Sequence, residues 1–163
     1  MKKIYLLLIF PIYVFGQTNS DFVIKNESDA YKEAISEYIN AIYSKYEQSI
    51  DTLFIGKHAD FPDISLPNKI QNTHIILLSS VNVERKMKYR NSLTYINMIG
   101  SLSYPIYYFK LVTFIVEKTP SKINWWPVHD CNIDFKCHSK SKTYSVKDLK
   151  FEYRYSNKFS KIK

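Results

Sequence analysis

Apolar side chains recur at helical spacing early in the chain: Tyr31, Ile35, Tyr38, Ile42 and Tyr46 follow one another at steps of four, three, four and four. Ala34, Ile39 and Ile50 widen that stripe, while Lys32, Glu33, Glu37 and Glu47 lie mostly off it. The pattern predicts an amphipathic helix of about six turns laid on an apolar layer. Its start is written in Asn26-Glu27-Ser28-Asp29. Asn26 or Ser28 can accept from a first-turn amide, and Glu27 and Asp29 sit where the helix dipole favours negative charge. The polar face is acidic, which suits packing on a core and not a membrane surface, where a basic face is wanted.

The rest of the chain reads as strands. Thr52 to Gly56 is short and apolar, Thr73 to Leu78 carries His-Ile-Ile-Leu-Leu, Leu93 to Ile99 is mixed, and Ile106 to Val116 is long and rich in β-branched and aromatic residues. The last of these is expected to be central. Near the C-terminus the period is two: Cys131, Ile133, Phe135 and Cys137 alternate with Asn132, Asp134, Lys136 and His138. Leu149, Phe151, Tyr153 and Tyr155 alternate in the same way with Lys150, Glu152, Arg154 and Ser156. Each run predicts an antiparallel strand with one buried face. Ser139 to Thr143 joins them as a hairpin loop, and Val83 to Lys88 could form one helical turn. Prolines mark two longer loops, Lys57 to Asn72 and Glu117 to Val128. The expected fold class is therefore α+β, with one long N-terminal helix packed on a curled antiparallel sheet of about five or six strands.

Residues 1 to 16 have a different character. Lys2-Lys3, an apolar stretch from Ile4 to Phe15 and then Gly16-Gln17 have the three parts of a secretory signal peptide. The stretch is shorter than the roughly 20 residues a membrane-crossing helix needs, and Pro11 interrupts it. The expectation is a signal peptide at 1–16, a single α+β domain at 17–163 and no transmembrane span after the signal is removed. The Lys-, Ile-, Asn- and Tyr-rich composition suits an AT-rich bacterial genome, which makes the expected compartment periplasmic or secreted.

Charge changes the picture little. The chain carries 23 Lys+Arg against 15 Asp+Glu, a net +8. It divides unevenly: residues 17–70 hold nine acids and five lysines, net −4, and residues 71–163 hold six acids and sixteen bases, net +10. A basic half raises the question of nucleic acid, but export makes that partner unexpected, and lysines on the solvated face of a sheet account for the excess. Only three glycines occur, so the glycine-rich phosphate loops of nucleotide-binding folds have no place in the chain, and H-E-x-x-H, C-x-x-C and G-x-S-x-G are absent. No cofactor is expected.

The order of one helix followed by strands resembles the cystatin-like and nuclear-transport-factor-like folds. The segments Asp51-Thr-Leu-Phe-Ile-Gly-Lys-His58, Asp63-Ile-Ser-Leu-Pro67 and His129-Asp-Cys131 also look like those of short secreted bacterial proteins of unknown function.

Four groups of residues could carry chemistry. Cys131 and Cys137 lie six residues apart on one predicted strand, roughly 20 Å if it is extended, whereas bridged Cα atoms lie within about 7 Å; both thiols are expected free and inward. His129-Asp130-Cys131 has the residue types of a nucleophilic site, yet on a strand Asp130 must face away from its two neighbours. His58, Asp60 and Asp63 are metal-ligand types within one loop, where the plain reading as ordinary loop residues leads; His74 or His129 would strengthen the metal reading by approaching them. Trp125-Trp126-Pro127 puts two indoles in a loop, where they could hold a ligand or cap the core. These features favour an exported non-enzymatic module that binds a protein or a small molecule. Two further readings stay open. One is a pocket enzyme of the nuclear-transport-factor-like kind, with a His or Asp base and His74 first in line; the other is an inhibitor or immunity-type protein.

Overall fold

The computed structural model describes residues 21–153, apart from 48, 58–61 and 63. The signal-peptide segment, Tyr155 and the loop residues His58, Asp60 and Asp63 lie outside the described residues.

Helix α1 runs over Glu27–Tyr46. Asn26 is its cap, accepting from the Asp29 amide at 2.9 Å, and Ser28 instead accepts from the Ser65 amide at 3.1 Å. Glu47 closes the helix in the left-handed region, its N–H donating to the Tyr43 carbonyl. Most of the predicted stripe is the buried face: Tyr31, Ile35, Tyr38 and Ile42 are buried together with Ala30, Ala34 and Ile39, whereas Tyr46 is half-buried and Ile50 lies past the end of the helix, which stops at the Glu47 cap.

The sheet is mixed, with seven strands where five or six antiparallel ones were expected. They are β1 (Thr52–Gly56), β2 (Lys69–Ile70), β3 (Thr73–Leu78), β4 (Ser92–Ser103), β5 (Ile106–Lys118), β6 (Ile123–His138) and β7 (Thr143–Tyr153), in the order β2-β3-β1-β4-β5-β6-β7. β4, not β5, takes the middle place. From β4 to β7 the sheet is an antiparallel meander. β1 corrects the all-antiparallel expectation, because it pairs in parallel with both β3 and β4. A parallel pair needs a crossover, and the chain from β3 to β4 makes one through a short helix, α2 (Ser80–Lys86).

That crossover gives the sheet a second covered face. Leu53, Ile55, Ile96, Leu111, Ile133 and Phe135 face α1, whereas Phe54, Leu78, Leu93, Tyr95 and Val116 pack under Val83 and Met87 on the α2 side. β1 is thus buried on both faces, which is why its sequence is apolar without alternation. Among the described residues no helix is long and apolar enough to cross a membrane.

β6 is longer than the sequence predicted, and it takes in Trp125, Trp126 and Pro127, which were expected in a loop. Proline cannot donate to a ladder and marks loops or bulges. Here the chain uses a bulge: Thr113 pairs with His129 and Phe114 with Pro127, leaving Val128 as the extra residue. A second bulge on β7 pairs Asp134 with Asp148 and Phe135 with Val146, so Tyr144 and Val146 share the α1 side with Leu149 and Phe151 despite the change in parity.

Candidate functional site

The two described histidines of the candidate set lie on opposite faces of the sheet. His129, on β6, faces α1 and is fully buried. Its Nε2 lies 3.2 Å from the Tyr38 hydroxyl and 3.1 Å from Thr113 Oγ1, and the two hydroxyls share a hydrogen bond of 2.9 Å. Helix α1 and strands β5 and β6 each contribute one corner of this closed triangle. Phe151 stands edge-on to the imidazole at 5.0 Å, and Lys45 lies over the Phe151 ring.

The electrostatics follow from that enclosure. Burial lowers the His129 pKa to about 4; Asp130 acts the other way, and Lys45 adds to the lowering. Burial also pushes the Tyr38 hydroxyl well above its ordinary value. The triangle therefore holds neutral groups at neutral pH, tying the helix to the sheet through hydrogen bonds that burial makes costly to break.

His129-Asp130-Cys131 does not assemble as a nucleophilic site. Asp130 points to the other face, as the strand period requires, where it is buried and paired with Lys110 at 2.8 Å. Cys131 is fully buried, and desolvation pushes its thiol up to about 12. Such a thiol has almost no thiolate at pH 7.

Both cysteines are free, and β6 runs unbroken between them. Their burial differs, however: Cys131 is enclosed, whereas Cys137 is only half-buried near the end of the strand. The expectation that both are sealed inward is corrected at Cys137, which packs against the α1-side core without being enclosed by it. In the native protein a thiol reagent should label Cys137 alone, and denaturation should release Cys131 as a second group. Equal native labelling of both cysteines would contradict the packing of β6.

The indoles do not form one platform. Neighbours on a strand face opposite ways, so Trp125 packs edge-on to Tyr95 at 5.1 Å and to Phe114 at 6.1 Å on the α2 side, while Trp126 is half-buried on the other. Trp125 is a wall of the second apolar cluster.

His74 is exposed on the α2 side of β3, so it does not enter the space between helix and sheet where a pocket enzyme would need it. It borders a cleft of about 450 Å³ at the β3 edge. Thr52, Asn68 and Arg90 form the cleft's polar lining with it, and Leu66 and Ile76 supply apolar wall. Ile75 donates to the Asn68 carbonyl at 2.9 Å, which fixes the segment before β2 against β3. Arg90, in the connection from α2 to β4, sits 5.4 Å from the centre of the Phe54 ring. Sequence reasoning missed Arg90 because nothing local distinguishes it from other surface bases; its neighbours come from β1 and β3.

Among the described residues no three His, Cys, Asp or Glu side chains gather to hold a metal ion. Comparison with family models, with curated proteins and with solved structures finds no match for this chain.

Proposed function

We propose that this chain is an exported, non-enzymatic binding module that takes a small ligand in the cleft between β3, the Leu66–Asn68 segment and Arg90. The observation that carries this reading is the division of labour between the two faces. The histidine and cysteine best suited to chemistry are enclosed in the core, while His74 opens onto a cleft of about 450 Å³, within the size range of small-molecule sites. Export rests on the N-terminal signal pattern, and the resemblance to short secreted bacterial proteins belongs to the same reading.

Native mass spectrometry of the protein recovered from its host's exported fraction tests it. The wild type should carry a non-covalent adduct that is missing from Asn68→Trp, which fills the cleft. Denatured mass should show a chain beginning at Gln17. A wild type without any adduct, or with the same adduct as the blocked variant, would remove the cleft from the reading. Retention of residues 1 to 16 would remove export.

A further inference from the structure

We infer that the β3-edge cleft is a site for a small organic anion, one whose carboxylate or phosphate group is held by Arg90 and His74 and whose apolar body lies on Leu66 and Ile76. The inference rests on the cleft being the ligand site and specifies what enters it.

The first support is the sign of the lining. His74 and Arg90 both border the cleft, and Lys69 is the register partner of His74 on the antiparallel β2–β3 pair, so its side chain stands on the same face as the imidazole. No carboxylate is among the described residues that line the cleft. Two basic side chains from separate segments, His74 on β3 and Arg90 before β4, thus line the cleft, with Thr52 and Asn68 as neutral hydrogen-bonding groups and Lys69 on the same face of the sheet next to His74.

The second support is preorganisation. Phe54 is held in the α2-side core at 1% exposure, and the Arg90 guanidinium rests over its ring. A guanidinium drawn to a ring by its charge still has N–H groups to offer an oxyanion, to which two parallel N–H bonds can be made. Among the described residues no ion pair involves Arg90. An imidazole offers an N–H donor in its neutral form as well as its charged form, so His74 can complete the clamp at neutral pH.

The third is the mixed character of the walls. A site made only for an inorganic ion has no use for apolar surface, whereas Leu66 and Ile76 line the same cleft. Small-molecule sites combine mostly apolar walls with a few converging polar groups.

The test uses three probes with one body: benzoate, phenyl phosphate and the neutral benzyl alcohol. Calorimetric titration into the full chain measures affinity, and the ring signals of His74 in carbon-13 NMR locate it. Benzoate or phenyl phosphate should bind saturably, shift the His74 signals and weaken with added salt; the tighter of the two names the head group. Arg90→Gln should lose about tenfold or more in affinity. His74→Gln, an exposed position that leaves the fold untouched, should weaken binding less and serves if Arg90→Gln fails to fold. Benzyl alcohol binding as tightly as benzoate would overturn the anion inference while leaving a ligand cleft in place. Failure of both anions to saturate, or full affinity in both variants, would also overturn it, with the adduct experiment left to judge the cleft itself.

Discussion

Replacing Phe135 with alanine should destabilise the protein by about 3–5 kcal/mol, the range for removing a fully buried phenyl ring and leaving its cavity. Phe135 is fully buried on the α1 side of β6. Phe22 stands edge-on to it at 5.0 Å and Phe109 is tilted against it at 5.6 Å. These neighbours come from the N-terminal segment and from β5, and Phe22 is itself anchored by two backbone hydrogen bonds to Tyr144 on β7. A cavity there has walls fixed by the sheet ladder, so little of the loss can be recovered by collapse. Lys136, the next residue, is exposed on the opposite face, and Lys136→Ala should shift stability by no more than about 0.5 kcal/mol. Urea unfolding of the two variants checks this directly. Equal effects would mean that the faces of β6 are assigned the wrong way round.

Acid should weaken the fold through His129. In the unfolded chain the imidazole takes a proton near pH 6.5; in the folded chain enclosure holds that step down to about 4. Folding favours the neutral form, so the unfolded state binds the extra proton as pH falls below 6.5. The stability contributed by His129 is fully present above that value, declines between 6.5 and about 4, and falls no further once both states are protonated. At about 1.4 kcal/mol for each pH unit between the two values, the loss comes to about 3.5 kcal/mol.

The measurement is urea unfolding at several pH values across that window, for wild type and for His129→Gln. The variant should be less stable at pH 7, because a glutamine cannot reproduce the contacts of Nε2 to Tyr38 and Thr113. It should also show a shallower decline towards pH 4, since carboxylates contribute equally to both proteins and cancel in the difference. Parallel decline of the two proteins would show that His129 is not the group being protonated.

Elements governed by local chemistry were readable from the chain. The α1 stripe and its asparagine cap depend on residues within a few positions of one another, and both appear where the pattern places them. The alternation around Ile133 and Phe135 was equally plain, because that strand has one buried face and a polar one. Ile35, Ile42 and Phe135 share one core with Leu111, while Phe151, which the alternation of its strand places inward, is only half-buried against it. The free cysteines follow from the same strand geometry.

Other features required partners distant in sequence. Thr52–Gly56 is apolar on both faces, as is Thr73–Leu78 beyond the exposed His74, a sign of parallel strands covered on both sides, but a short apolar run carries no direction of its own. The parallel order arises when β1 inserts between β3 and β4, and α2 then buries Phe54 on the face opposite α1. The indole pair was read as loop because Pro127 breaks ordinary strand patterns; the bulge that accommodates it exists only against Thr113 and Phe114 of β5.

The candidate site shows the same boundary. Sequence alone determined that Asp130 must face away from His129 and Cys131, because adjacent side chains on a strand diverge. Tertiary structure decided that His129 is enclosed by Tyr38 and Thr113, that His74 lies on the other side of the sheet, and that Arg90 joins it at the β3 edge. The physical reason is that backbone periodicity assigns each side chain a face, while the energy that chooses what covers that face comes from contacts between residues far apart in the chain.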